Sequence, residues 1–150
     1  MTIRHHRLRI PLLLLGLTLS PLVAGEGKTT FDDYVVHHSV IPSTFISASI
    51  AGQYDLVRSR SLGLLNVSVH ARNEGAPPDA VAARLEGSVI NDAQQRESLS
   101  FRRIREGESI YYLAQFQYRE GRTMTFELQS SPHDSDQTLP LQFTSELYYD

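Results

Sequence analysis

Between Ser98 and Ser130 the chain reads SLSFRRIREGESIYYLAQFQYREGRTMTFELQS, and through its middle apolar and polar residues alternate. A repeat of two is what a strand with one buried face requires, because successive side chains point to opposite sides of a sheet. The stretch holds Phe101, Tyr111, Tyr112, Phe116, Tyr118 and Phe126, six of the thirteen aromatic residues in the chain. It is cut twice by the same tripeptide, Arg105-Glu106-Gly107 and Arg119-Glu120-Gly121. Glycine at the end of a three-residue loop takes the left-handed conformation cheaply, so each tripeptide predicts a turn. The reading is a three-stranded meander within an antiparallel sheet.

The second turn predicts a hairpin pairing Tyr118 with Arg122, Phe116 with Met124, Ala114 with Phe126 and Tyr112 with Leu128, all on one apolar face. The first turn does not keep phase. It would pair Ile104 with Glu108 and place Arg102 on the apolar face. One extra residue at Arg102-Arg103 returns Phe101 and Leu99 to the core, which predicts a β-bulge there.

The rest of the chain follows the same grammar. Gly25 to Thr30 is polar and small, an exposed arm. Phe31 to Ile41 reads as the first strand, rich in β-branched and aromatic residues. Ser43 to Arg60 reads as a crossing segment with one helical turn, capped by Ser43. In Ser61 to Arg72, Leu65, Val67, Val69 and Ala71 share one face, and Asn66, Ser68 and His70 the other. Asn73 to Asp79 is a loop, since its two prolines cannot sit in a central strand. Val81 to Ile90 turns Ala83, Leu85, Gly87 and Val89 inward. After the polar loop Pro132–Gln137, Leu139, Leu141 and Phe143 open a last strand that runs to Tyr149. Short strands at this spacing are the pattern of an all-β, antiparallel, immunoglobulin-like β-sandwich of about seven strands. With 150 residues and no internal linker, residues 26–150 make one domain.

The first 25 residues read differently. Arg4, His5, His6, Arg7 and Arg9 precede a 14-residue apolar run, Ile10 to Val23, and the small residues Ala24 and Gly25 follow. That is a secretory signal cleaved after Ala24 or Gly25. The run is shorter than the about 20 residues a membrane span needs. Cleavage removes three arginines and no acid, leaving a net charge of −6. Such a chain is a poor partner for nucleic acid, and no second apolar run would insert it in a membrane. With no cysteine, disulfides and thiol chemistry are excluded.

The chemistry-bearing residues are sparse. His37 and His38 are neighbours on a strand and point to opposite faces, so they cannot both hold one ion. His70 and His133 stand apart in sequence, and Met124 falls on the core face. No Gly-x-Ser-x-Gly elbow and no phosphate-cradling glycine loop occurs. The acidic pairs Asp32-Asp33, Glu106/Glu108 and Asp134/Asp136 lie at strand ends and in loops, as solvated turn residues do. No cofactor, metal or catalytic residue is expected. Arginine is the enriched charge, and Arg58, Arg60, Arg102, Arg103 and Arg105 with Tyr111 form the candidate interaction surface.

The runs FDDYVVHHSVIPSTFI, YDLVRSRSLGLLNVSV, SFRRIREGESIYYLAQF and LQFTSELYYD, in this order, resemble the bacterial domain-of-unknown-function 4426 family. The turn and double tyrosine of Arg105–Tyr112 are the most specific part. The resemblance spans Phe31 to Asp150 and implies a small exported, periplasmic β-sandwich. It implies no activity, cofactor or catalytic residue. The expectation is a non-enzymatic periplasmic module that binds a protein or envelope component, with the first or last strand as an edge open to strand pairing. The rivals are a small-ligand carrier or hydrolase-type enzyme with a pocket between the sheets or beneath Ser43–Arg60, and, further off, metal handling.

Overall fold

The computed structural model describes residues 26–149; the proposed leader lies outside them. The strands are β1 (Glu26–Thr30), β2 (Tyr34–Pro42), β3 (Leu62–Ala71), β4 (Asp79–Ala80), β5 (Ala83–Ile90), β6 (Arg96–Ser98), β7 (Arg102–Glu106), β8 (Ser109–Gln117), β9 (Met124–Pro132) and β10 (Leu139–Ser145). Among the described residues one helix, α1 (Ala48–Gln53), follows a 3-10 turn at Ser43–Phe45. The larger sheet runs β1-β2-β3-β8-β7, with β4 beside the end of β3; the smaller runs β10-β9-β5-β6. All pairings are antiparallel. The architecture is an all-β sandwich, of ten strands among the described residues rather than about seven.

The core lies between the sheets. Val36, Val40, Leu65, Val67, Val69, Ala114 and Phe116 of the larger sheet meet Val89, Phe126, Leu128 and Leu141 of the smaller one. Phe126 stacks on Phe143 (5.0 Å between centroids) and meets the edge of Phe116 (5.1 Å). Tyr112 closes the sandwich by a polar route: its hydroxyl accepts the Ala83 backbone N–H at 2.7 Å, in a buried bond between sheets.

Four sequence expectations are corrected. First, β8 and β9 are not a hairpin. They lie in different sheets, so Phe116 and Phe126 face each other across the core instead of along a ladder. The turn itself forms: Gly121 has φ 71°, and Arg122 N–H donates to the Arg119 carbonyl. Alternation fixes which face is buried, and both arrangements satisfy it.

Second, no bulge occurs at Arg102-Arg103. Pairing is unbroken from Arg102↔Leu113 to Glu106↔Ser109, and the turn is the two residues Gly107-Glu108. Gly107, at φ 59°, occupies the first turn position, which favours glycine in one of the two tight hairpin turns. Ile104 then points outward beside Tyr111, where it is nevertheless buried. The larger sheet is covered on both faces, so an outward isoleucine needs no bulge.

Third, the polar arm is strand β1. It covers β2, which is therefore an interior strand; the edges among the described residues are β1, β7, β10, β6 and the two-residue β4. The edge β7 carries Arg102, Arg103 and Arg105, and β10 carries Pro140. Edge charges and proline discourage strand addition, which weakens the strand-pairing expectation. Fourth, the cap of α1 is Ser47, whose Oγ accepts the Ile50 N–H, and not Ser43.

Candidate functional site

Residues 43–60 lie across the outer face of the larger sheet as a compact loop carrying α1. Three polar ties hold it. At its base the wholly buried Ser43 Oγ donates to the Ser59 carbonyl and accepts the Ser59 N–H, both at 2.9 Å. In the middle Gln115 of β8 behaves like a strand: its amide accepts the Val57 N–H (3.0 Å) and donates to the Val57 carbonyl (2.7 Å). At the far end Arg102 of β7 donates to the Tyr54 and Asp55 carbonyls, which close α1. A cation on the last carbonyls of a helix satisfies orphan acceptors and matches the local dipole. The Arg102–Asp55 ion pair beside it, at 3.8 Å with Asp55 exposed, adds little.

Beneath this loop is a cleft of about 210 Å³. Its roof is Ile46, Ile50, Tyr54 and Leu56, and its floor includes Ile41, Leu64, Ile104, Tyr111 and Leu113. Ser39, Asn66 and Glu106 are its polar members. Asn66 Oδ1 is shielded from solvent yet accepts no hydrogen bond from the protein. A buried acceptor without a donor costs roughly 1–3 kcal/mol, so Asn66 carries an uncompensated polar atom among the residues that line the cleft.

Asn66 and Ser39 also line a second, polar hollow of about 260 Å³, with Glu26, His37, His38 and Ser68. His37 points out and its ring meets that of His70 edge to face, 5.3 Å between centroids. His38 points in and stacks on Phe143 at 3.8 Å. The two neighbours thus part to opposite faces, as alternation requires. Burial lowers the affinity of His38 and His70 for protons, and the charge of His37 acts in the same direction; Asp79 opposes it at His70.

The six residues singled out from the sequence do not form one patch. Arg102 ties down α1, and Tyr111 floors the cleft. Arg103 and Arg105 are exposed on the other side of β7. Arg58 donates to the Thr44 carbonyl within the loop, and Arg60 stacks over Tyr149, 4.8 Å from its centroid. The face of Tyr111 and Gln115 is covered by residues 43–60. Asn66 and His70 were placed on the outer face, but their partners depend on a register that sequence alone does not fix.

Arg102→Ala should cost only about 1 kcal/mol, because the guanidinium is half exposed. Its larger effect should be local: faster hydrogen exchange at the Ala51 and Tyr54 amides, which bond within α1. Unchanged exchange would mean that α1 holds without the arginine.

The family model for the domain of unknown function DUF4426 matches residues 28–150. The chain belongs to the DUF4426 family. A crystal structure of a DUF4426 family protein from Pseudomonas aeruginosa is 31% identical, with a TM-score of 0.69, covering 84% of this chain and 97% of that one. Two structures of FetP from uropathogenic Escherichia coli share the fold at much lower identity. A copper-bound FetP variant is 13% identical (TM-score 0.56; 84% of this chain, 95% of that one). FetP as isolated after expression in the periplasm is 11% identical (TM-score 0.57; 85% and 95%). A search of curated proteins finds no significant match.

Proposed function

We propose that this DUF4426 protein is a non-enzymatic binding module of the Gram-negative periplasm, and that its ligand enters the cleft beneath residues 43–60. The observation that carries the reading is the pairing of an aliphatic cleft with one shielded, unsatisfied acceptor, Asn66 Oδ1. Binding sites combine apolar walls with a few placed polar groups in this way. The cleft volume, about 210 Å³, accommodates one small fused-ring system or a short chain; an apolar cavity of roughly 150 Å³ takes benzene. The ligand class is therefore a small apolar group bearing an N–H or O–H, presented by an envelope component or free. The basic-apolar-small order of residues 1–25 supports export. Expression of FetP, a protein of the same fold, in the periplasm agrees with that location.

Calorimetric titration with indole and with indene, its counterpart lacking the N–H, tests the reading. Indole should bind about five- to tenfold more tightly, the worth of one net hydrogen bond. Asn66→Leu should remove the preference, and Leu113→Trp, which fills the cleft, should remove both ligands. Equal binding of the two probes, or binding that survives Leu113→Trp with the fold intact, contradicts it. The exposed arginines Arg103 and Arg105 remain outside this site and are offered as a secondary contact for an acidic partner, since guanidinium groups fork onto carboxylates.

A further inference from the structure

One row of side chains crosses the outer face of the larger sheet. Glu26 pairs with Ser39, Ser39 with Asn66, Asn66 with Leu113 and Leu113 with Arg102. Residues directly opposite each other on adjacent strands share a face and lie close together. The row changes character at Asn66. On one side Leu113 is apolar, and so is the next row along, where Ile41 stands beside Leu64. On the other side the row is polar, through Ser39 to Glu26. From Leu113 to Glu26 it spans three strand spacings, about 14 Å.

The two hollows follow this change. The cleft of about 210 Å³ lies on the apolar part and is roofed by Ile46, Ile50, Tyr54 and Leu56. The hollow of about 260 Å³ takes its lining from β1, β2 and β3 and none from residues 43–60. Ser39 and Asn66 line both, so the roofed apolar space adjoins an unroofed polar one. A wholly apolar ligand would use one of them; an amphiphile uses the two together.

The polar hollow selects the sign of the head group. Apart from its histidines, Glu26 is the one ionisable residue in the lining. Asn66 Oδ1 is a shielded acceptor to which no protein group donates, and serine hydroxyls such as those of Ser39 and Ser68 can accept as well as donate. A primary ammonium has three donors and no acceptor, which suits this lining. A carboxylate or phosphate head would bring further acceptors and the same charge as Glu26. Lys28 stands one row further along β1, exposed and opposite His37 rather than Ser39, and it is outside the lining.

We propose that the ligand of the cleft is an amphiphile with a primary ammonium head. Its hydrocarbon lies beneath residues 43–60, and its ammonium sits over Ser39 and Asn66 with Glu26 as the counter-charge. This rests on the reading of the cleft as the binding site and adds what the ligand carries at the open end.

The test is calorimetric titration of the purified protein with hexylamine, hexanol and hexanoate at low salt. About pH 8 lies above the usual imidazole range and below that of an alkylamine, so the amine stays charged. Hexylamine should bind about tenfold more tightly than hexanol, because a hydrogen bond from a charged donor is worth more than a neutral one, and hexanoate should bind most weakly. Asn66→Leu should remove most of that preference. Glu26→Gln should lower hexylamine affinity about two- to fivefold, as befits an exposed ion pair, and leave hexanol unchanged. Lys28→Ala should not weaken hexylamine, and Leu113→Trp should abolish all three. Thermal melting checks that each variant is folded. Hexanol or hexanoate binding as tightly as hexylamine, and still blocked by Leu113→Trp, would overturn the ammonium head while the cleft stands. A preference for hexylamine that neither Asn66→Leu nor Glu26→Gln reduces would overturn it too. Failure of all three probes and of indole would overturn the head and the cleft together.

Discussion

Phe126→Ala is expected to destabilise the protein by about 3–5 kcal/mol, a large part of a typical domain's stability. Phe126 is wholly buried, stacks on Phe143 and receives the edge of Phe116 from the opposite sheet. His38 stacks on the far side of Phe143, so the row of four rings crosses the sandwich. Removing the second ring leaves a cavity that neither sheet can close, because both backbones are fixed by ladders on either side. Urea unfolding should show a lower midpoint with an unchanged slope, and the melting temperature should fall by roughly 10–20 °C. A loss below about 1 kcal/mol would mean that the sheets do not pack through this residue.

Gly87→Ala should cost about 1–3 kcal/mol, a large penalty for adding a single methyl group. A Cβ at Gly87 would sit 2.4 Å from Leu128 Cδ2 and 2.6 Å from the Glu127 carbonyl oxygen. The leucine can rotate, but the carbonyl belongs to β9, the direct partner of β5, and moving it distorts the ladder. Gly52→Ala is the contrasting case. Nothing lies within 4 Å of its added methyl, and it sits inside α1. There the substitution should stabilise by about 0.5–1 kcal/mol, the intrinsic gain of alanine over glycine in a helix. Equilibrium denaturation of the two variants side by side separates close packing from helix propensity, and equal effects would count against the assigned pairing of Gly87 with Leu128.

The alternation around Leu65–Val69, Ile110–Tyr118 and Leu139–Phe143 made the strands, their inward residues and the sandwich class legible from sequence. Sheet membership was not legible. Phe116 and Phe126 alternate inward whether their strands form one hairpin or opposite walls, and only long-range pairing distinguishes the two. The cleft had a signal that a one-sided reading passes over. Val40-Ile41, Leu64-Leu65 and Tyr111-Tyr112-Leu113 are consecutive apolar residues, the mark of strands covered on both faces. Read that way, Ile104 needs no bulge and residues 43–60 become the cover. The His37–His70 pair is different in kind. Nothing local marks it, because it exists only through the register of β2 on β3.

Arg102 shows how a charge can mislead. In sequence it stands where alternation breaks, beside other arginines, and reads as a surface for partners. In the fold it is a fastening, and its carbonyl acceptors at Tyr54 and Asp55 keep α1 over the cleft. Ser43 and Gln115 do the same work from the base and the middle. The three ties leave the apolar underside of the loop free to face the sheet.

The claim that the cleft beneath residues 43–60 is the binding surface is tested most directly by chemical-shift mapping of isoleucine and leucine methyl groups during titration with indole. The methyls of Ile46, Ile50, Leu56, Ile104 and Leu113 should shift together and saturate along one binding curve, while those of Leu139 and Leu141 in the edge strand β10 stay in place. Shifts centred on Leu139 and Leu141, or none at any indole concentration, would contradict it.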